Sequence, residues 1–212
     1  MSFDHIAPFY QLLETIAFGR TLQCARICLI NRIPRPTRAL IVGEGNGRFL
    51  CELVGVHPKT NIDCVDASAR MLQLARARLQ GNHPESLARI CFYHDDIRKW
   101  SPPHSYDLIV THFFLDCFHR ADIESIVAKL AVCAMENATW LVSDFALPKK
   151  LVARIHAGIW LKAMYAFFRL TAGIPAHALV DPRSYLESHG FTQTSIRLFR
   201  SGALNASLYS RS

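Results

Sequence analysis

The chain has 212 residues, half of which are apolar, and its formal net charge is +7. This length and apolar content suit one domain with a large core and exclude a compositionally disordered chain. The positive charge is spread along the chain without a basic motif interleaved with aromatic residues, so we do not expect nucleic acid as a partner.

Apolar runs alternate with amphipathic segments after Pro34 and Pro36, which end a helical N-terminal segment. In chain order the pattern predicts helical residues 3–33, strand 39–42, helix 48–55, strand 61–65, helix 68–80, strand 89–93, strand 107–111, helix 121–135, strand 139–145, helical residues 149–170, helix 182–189, and strands 191–199 and 203–210. Strands separated by crossover helices predict an α/β fold with a parallel sheet. The short link at 200–202 predicts an antiparallel final hairpin.

A glycine loop joins the first predicted strand to the helix that follows it. Its glycines, Gly43, Gly45 and Gly47, follow a GxGxG pattern that exposes backbone N–H groups to a ligand. The third glycine of the dinucleotide pattern GxGxxG is Arg48 here, so the loop favours a cofactor without a pyrophosphate. A tight turn that binds no ligand is the alternative for the loop alone.

Two further strands end near carboxylates, at the edge where open α/β sheets bind ligands. Asp66 ends the second strand and can accept hydrogen bonds from both hydroxyls of a ribose, unless it is only an acid favoured by a helix N-terminus. Asp96 follows the third strand and can accept from an adenine amino group beside the apolar Ile97, or belong to a polar turn. The loop and Asp66 together predict a nucleoside-containing ligand.

These segments resemble class I S-adenosylmethionine-dependent methyltransferases. Residues 65–72, VDASARML, are similar to the V-D-x-S-x-x-M-L segment of that family, and residues 95–97 resemble its G-D-A. Residues 106–111 resemble its fourth strand, and residues 3–10 are similar to the N-terminal helix of the ubiquinone/menaquinone C-methyltransferase-like branch. The resemblance implies a Rossmann-like, doubly wound, mostly parallel seven-stranded sheet with an antiparallel last strand.

The resemblance also implies S-adenosylmethionine as cofactor and S-adenosylhomocysteine as product. The residues that it implies for cofactor binding are Tyr10, Gly43, Glu44, Gly45, Asn46, Asp66, Ala67, Met71, Asp95, Asp96, Ile97, Thr111 and His112. One departure is Ile41, which stands where the family usually has an acid. Glu44 could replace that acid as the partner of the cofactor's ammonium group, or it could face solvent.

We expect one methyltransferase domain over residues 1–212. Its parts would be an N-terminal helical lid at 1–38, a cofactor-binding core at 39–145, a helical cap at 146–180, and a helix with the terminal β-hairpin at 181–212.

The apolar residues of helix 149–170 cover more than one face of the helix, and basic residues accompany them. Three interpretations follow: a buried core helix, a cap over a hydrophobic acceptor, or a contact with a membrane surface or a second copy of the chain. We favour the cap.

Asp116 and His119 follow the fourth predicted strand and are three positions apart, so they would share a helical face. Asp116 is our best candidate for a general base, with His119 beside it, and an ordinary loop-to-helix junction is the alternative. A base is needed only for a weakly acidic hydroxyl or a carbon acid. We expect a small hydrophobic or aromatic acceptor, with oxygen, nitrogen and carbon nucleophiles left open.

Three other functions stay open. A noncatalytic cofactor-binding protein or partner subunit is favoured by Ile41, a nicotinamide-dependent oxidoreductase is disfavoured by Arg48, and a nucleic-acid methyltransferase rests on net charge alone. Seven cysteines without a CxxC pair, and no evident secretory signal, predict a cytoplasmic location. We predict no metal site.

Overall fold

The computed structural model describes residues 20–146, 148 and 180–211. Its strands are β1 Arg38–Val42, β2 Asn61–Asp66, β3 Ile90–His94, β4 Tyr106–His112, β5 Ala134–Phe145, β6 Phe191–Phe199 and β7 Leu204–Arg211. Its α-helices are α1 Thr21–Ile27, α2 Arg48–Val56, α3 Ala69–Asn82, α4 Arg120–Val132 and α5 Arg183–Ser188. Short 3-10 helices lie at Ile30–Arg32, Pro84–Arg89, Leu115–Cys117 and Arg200–Gly202.

The seven strands form one sheet in the order β3-β2-β1-β4-β5-β7-β6. Strands β1 to β5 pair in parallel, whereas β7 is antiparallel to both β5 and β6. This confirms the predicted Rossmann-like, mostly parallel seven-stranded sheet with an antiparallel last strand. The strand order reverses between β1 and β4, which is where open α/β sheets bind ligands.

The central strands are buried on both faces. In β1, Leu40 and Val42 join one apolar core, while Ala39 and Ile41 join the other. Successive side chains of a strand point to opposite faces, so an unbroken apolar run supplies both cores. The same physics explains why the central strands were predictable from the sequence.

Two structural differences from the sequence prediction lie at the start of β5. The predicted helix 121–135 ends at Val132, and β5 begins at Ala134 rather than at 139. The Arg211 guanidinium donates to the carbonyls of Ala131 and Ala134, and the Tyr106 N–H donates to that of Cys133. These partners are distant in sequence, so helical periodicity could not reveal them.

The helical N-terminal segment is also interrupted. Within the described part of residues 3–33, α1 ends at Ile27 and a 3-10 turn follows at Ile30–Arg32. The buried side chains of Leu29, Ile30 and Ile33 pack on the core that contains Ile41, which bends this segment against the sheet.

Helix α3 runs to Asn82, two residues beyond the predicted end at 80, while its predicted start is confirmed by Ser68, whose side chain accepts a hydrogen bond from the Met71 N–H. Tyr10, helix 149–170 and most of the predicted lid and cap lie outside the described residues. The single-domain division of residues 1–212 stays a prediction.

Candidate active site

Two adjoining crevices open at the carboxyl ends of β1, β2, β3 and β4. The first is lined on the loop side by Gly43, Glu44, Gly45, Asn46, Asp66, Ala67 and Met71. Its other wall consists of Arg26, His112, Phe113, Phe114, Cys117 and Phe118. The second crevice shares Asp66, Ala67, Phe114 and Phe118 with the first, so the two are continuous.

The glycine loop keeps its shape because each of its glycines adopts a positive φ angle. The φ angles of Gly43, Gly45 and Gly47 are 68°, 68° and 80°, in the left-handed region that favours glycine. A side chain at Gly47 would lie 2.6 Å from the Cα of Ala75 in α3. Gly47 therefore allows α2 and α3 to pack closely beneath the loop.

Asp66 joins the glycine loop to the end of β2. One carboxylate oxygen accepts from the Gly45 N–H at 3.2 Å, and the other accepts from the Ser68 N–H at 2.9 Å. The carboxylate lies in both crevices. Because an ionised carboxylate has about four lone-pair sites, it retains acceptor capacity for a ligand's hydroxyls.

Glu44 turns back onto the start of α2. Its carboxylate accepts a hydrogen bond from the Leu50 N–H at 2.9 Å, which satisfies one of the free donors of that helix terminus. Burial raises the pKa of Glu44 to about 7, and the bond from Leu50 and the charge of Arg26 oppose this rise. Glu44 also lines the first crevice, so a bound ligand can change the pKa of its carboxyl.

The second crevice contains Asp95, Asp96 and Ile97, the residues that the resemblance implies for the adenine end of the cofactor. The Asp96 carboxylate accepts from the Arg98 guanidinium through both of its oxygens. These hydrogen bonds lower the pKa of Asp96 to about 2. Asp96 is thus a fixed acceptor at the rim, and the buried Ile97 supplies an apolar surface beside it.

The last two residues of β4 point to opposite sides of the sheet. His112 lines the first crevice, and neither of its ring nitrogens has a hydrogen-bond partner among the described residues. Burial, and then the charge of Arg26, lower its pKa well below the usual value, which favours the neutral ring. The Thr111 hydroxyl instead accepts from the Trp140 indole in the core, so its position gives no support to a cofactor contact.

Asp116 and His119 do not share a helical face. The 3-10 helix that contains Asp116 ends at Cys117, Phe118 is extended, and α4 begins only at Arg120. Asp116 is buried with 4% exposure, whereas His119 is exposed at the start of α4. The predicted helical pairing is therefore wrong, because the chain extends between the two residues.

Asp116 has a different neighbour, Asp144, which the sequence analysis did not single out. Burial raises the pKa of Asp116 to about 6, and a hydrogen bond with Asp144 opposes the rise. Burial, and then the Asp116 carboxyl, raise the pKa of Asp144 well above its usual value. Asp144 is the acid near the end of the predicted strand 139–145, so the rule that identified Asp66 could have found it.

The remaining missed residues form the wall opposite the loop. Arg26, Phe114, Cys117 and Phe118 line the first crevice, and the Arg26 guanidinium lies 5.1 Å from the centre of the Phe113 ring. No local pattern marks Arg26, because α1 reaches the crevice only through its packing against the sheet. The aromatic residues could have been suspected, since they directly follow β4.

Two kinds of feature are absent from the described residues. No group of three or more His, Cys, Asp or Glu residues is arranged to hold a metal ion in this part of the chain. Among the helices of the described ranges, none has the length and apolar character needed to cross a bilayer.

Comparisons with known proteins agree with this fold. Residues 39–135 match the family model of a methyltransferase domain. The magnesium protoporphyrin IX methyltransferase of Synechocystis, solved with bound S-adenosylhomocysteine, superposes with a TM-score of 0.64 at 18% identity. That match covers 93% of this chain and 84% of that one. The chain has a methyltransferase fold.

Two further structures with the methyltransferase fold are similar. An O-methyltransferase family 2 protein from Planctomyces limnophilus, in complex with apigenin, gives a TM-score of 0.72 at 19% identity, covering 100% of this chain and 62% of that one. Human N-acetylserotonin methyltransferase, in complex with S-adenosylmethionine, gives 0.64 at 14% identity, covering 95% and 55%. The chain thus spans less than two thirds of the length of these two proteins. No curated protein sequence matches it.

Proposed function

We propose that this chain transfers a methyl group from S-adenosylmethionine to a small hydrophobic or aromatic acceptor. The observation that carries the proposal is the hydrogen bond of 3.2 Å between the Gly45 N–H and the Asp66 carboxylate. It brings the glycine loop and the strand-ending acid together in one crevice. The match of residues 39–135 to a methyltransferase domain and the solved complexes with S-adenosylmethionine or S-adenosylhomocysteine support the same cofactor.

The described residues fit this cofactor. Asp66 would hold the ribose hydroxyls, and Ile97 with Ala67 and Met71 would contact the adenine, near the Asp96 carboxylate. The loop from Gly43 to Asn46 would enclose the methionine portion. When bound, the cofactor supplies an activated methyl group, so the chain has to orient the acceptor and exclude water. Such positioning can supply roughly 7 kcal/mol or more of the acceleration.

The wall of the first crevice supports an apolar acceptor. Phe113, Phe114 and Phe118 lie along it, and the rings of Phe114 and Phe118 are 5.0 Å apart. Aromatic side chains favour apolar and aromatic ligands. A place in the ubiquinone/menaquinone C-methyltransferase-like branch stays part of this proposal, as does a cytoplasmic location, which the seven free cysteines favour.

A noncatalytic cofactor-binding protein or partner subunit is a second candidate function. It is favoured by Ile41, an apolar residue with 1% exposure in the position where methyltransferases usually have an acid. The nearby Glu44 carboxylate already accepts a hydrogen bond from Leu50. A nicotinamide-dependent oxidoreductase is less favoured, because Arg48 replaces the third glycine of the dinucleotide pattern.

Isothermal titration of the purified chain with S-adenosylhomocysteine and with NADH separates the cofactors. We expect binding of the first and none of the second, and the reverse result would refute the proposal. An acceptor screen with labelled S-adenosylmethionine in a metabolite extract of the source cell then separates enzyme from noncatalytic binder. Cofactor binding without methyl transfer to any extracted compound, together with a tight complex with another protein, would favour the second candidate.

A further inference from the structure

Two aspartates lie together at the carboxyl ends of β4 and β5. Asp116 follows β4 and has 4% exposure, and Asp144 is the penultimate residue of β5 with 2% exposure. The two strand ends are tied by the Phe113 N–H, which donates to the Ser143 carbonyl at 2.6 Å. Asp116 and Asp144 are therefore held at the same edge of the sheet as the crevices.

The surroundings of Asp144 supply too few hydrogen-bond donors, and no cation, for an ionised carboxylate among the described residues. Apart from Asp116, neither of its oxygens has a hydrogen-bond partner among the described residues, and no salt bridge of the described residues reaches Asp116 or Asp144. Two buried carboxylates without a cation repel each other, and one proton between them removes the repulsion. A protonated Asp144 can donate to Asp116, which then keeps the negative charge.

The raised pKa values of both carboxyls agree with a shared proton. Burial raises the pKa of Asp144 well above its usual value and that of Asp116 to about 6, so both carboxyls favour a proton more than an exposed aspartate does. Two other titratable groups among the described residues influence this pair. They are the Cys117 thiol, whose pKa is also raised by burial, and Asp181, whose negative charge raises the pKa of Asp144 further.

Asp116 lies directly behind the wall of the first crevice. The Cys117 Sγ lies 3.7 Å from the Asp116 Oδ1, and Cys117 itself lines the crevice. The neighbouring crevice residue His112 has two buried nitrogens without partners among the described residues, which points independently to a polar ligand group at this end. His112 and Cys117 line the same crevice, so an acceptor bound there would lie against the residue that adjoins Asp116.

We propose that Asp116 accepts a proton from a hydroxyl-bearing acceptor and that Asp144, in its protonated form, is the residue that positions Asp116. This inference rests on the proposed methyl transfer and specifies its acceptor as a hydroxyl compound, such as a phenol. The acceptor's O–H bond breaks, and its proton moves to the Asp116 carboxylate. The acceptor oxygen bonds to the methyl carbon while the bond from that carbon to sulfur breaks, leaving the electron pair on sulfur. The proton passes to water after product release.

The first test needs no acceptor. Carbon-13 NMR of protein labelled at the aspartate carboxyls should show one aspartate that stays protonated at neutral pH and is lost in D144N. A matched control is D107N, because the Asp107 carboxylate accepts backbone N–H bonds from Thr37 and Arg38 at the opposite edge of the sheet. Absence of a protonated aspartate at neutral pH would overturn the inference.

Thermal unfolding gives a second readout. Because the pKa of Asp144 is higher in the folded protein than in the unfolded chain, the folded state binds more protons and loses stability as the pH rises above about 4. D144N lacks this loss. Its unfolding temperature relative to the wild type should therefore rise by about 2–4 °C or more between pH 4 and pH 7. A difference that does not change with pH would contradict a shared proton.

The third test measures methyl transfer from labelled S-adenosylmethionine to a panel of simple phenols and aliphatic amines. D116N should lose about a hundredfold or more in turnover while keeping its affinity for S-adenosylhomocysteine. D144N keeps an N–H donor for Asp116 and should therefore lose less turnover than D116N. D144L removes that donor, so the acidic limb of the pH profile of turnover should move to higher pH. Methylation of amines alone, or full turnover by D116N, would overturn the inference. Failure of the wild type to bind S-adenosylhomocysteine would instead refute the proposed function, without altering the NMR and unfolding results.

Discussion

The two walls of the first crevice differ in how their polar groups are satisfied. On the loop side, the Asp66 and Glu44 carboxylates accept backbone N–H bonds from Gly45, Ser68 and Leu50. On the opposite side, both ring nitrogens of His112 are buried without hydrogen-bond partners among the described residues, and behind this wall Asp144 has no such partner apart from Asp116. The carboxylates of the loop side thus have backbone partners, whereas buried polar atoms on the opposite side lack them among the described residues.

This difference suggests that the loop side binds the cofactor and that the opposite side takes part in the reaction. Groups that backbone N–H bonds already hold are fixed before a ligand arrives, so binding costs little ordering. Buried polar groups without partners cost stability and are found where a ligand or a proton completes them. We therefore expect changes on the loop side to weaken folding and cofactor binding, and changes on the opposite side to affect function without weakening the fold.

The largest effect is expected from Gly47→Ala on the loop side. The new methyl group would meet the Ala75 backbone at 2.6 Å, and the residue would be strained at a φ of 80°. Together, overpacking and strain predict a loss of about 2–5 kcal/mol in the free energy of unfolding, measured by urea titration. Gly45→Ala is the control, since its methyl group would meet no atom within 4 Å. Equal losses in both variants would show that packing against α3 does not matter.

The next effect is on cofactor affinity. Asp66→Ala removes the carboxylate that joins the Gly45 and Ser68 N–H groups, so the affinity for S-adenosylhomocysteine should fall by about 1–3 kcal/mol in isothermal titration. Asp107→Ala is matched, because Asp107 also accepts backbone N–H bonds but lies at the opposite edge of the sheet. It should cost stability and leave affinity intact. Unchanged affinity in Asp66→Ala would refute the ribose assignment.

His112→Phe tests the wall of the first crevice opposite the glycine loop. Removing two buried nitrogens that have no partners among the described residues should leave the free energy of unfolding unchanged or raise it by about 1 kcal/mol, while the affinity for S-adenosylhomocysteine falls by a similar amount. His57→Phe is the control, because His57 also has a buried ring nitrogen without a described partner but lies outside the crevice residues. A large loss of stability in His112→Phe would show that the imidazole supports the fold.

The smallest expected effect is a proton released on binding. With a pKa of about 7, Glu44 is about half protonated at pH 7, and the cofactor's ammonium group favours its ionised form. Titration with S-adenosylhomocysteine in buffers of different ionisation enthalpy should therefore show release of up to about half a proton at pH 7 and less above pH 8. Glu44→Gln should abolish this release, and the exposed Glu52→Gln should not.

5′-Methylthioadenosine, which lacks the amino-acid group, is the matched ligand for the same titration. It should bind without releasing a proton from Glu44. Equal proton release with both ligands would place Glu44 away from the cofactor's ammonium group and assign its carboxyl to the start of α2 alone.

The contrast between Asp66 and Asp144 shows how far the sequence could be interpreted. Both acids lie at the ends of predicted strands, but Asp66 also follows a glycine loop at a recognisable spacing, so its role could be predicted. The role of Asp144 depends on Asp116, 28 positions earlier in the chain, and only the parallel pairing of β4 with β5 brings the two together. Helix 121–135 was predicted too long for a related reason, since the partner of its last carbonyls is Arg211.

The sequence by itself determined the sheet, the glycine loop and the cofactor edge, because apolar runs and left-handed glycines act over a few neighbouring residues. Only the tertiary structure decided that Glu44 turns onto α2, that Thr111 faces the core, and that Asp116 meets Asp144 rather than His119. These outcomes depend on burial and on pairs far apart in the chain, and both arise when the strands assemble into the sheet.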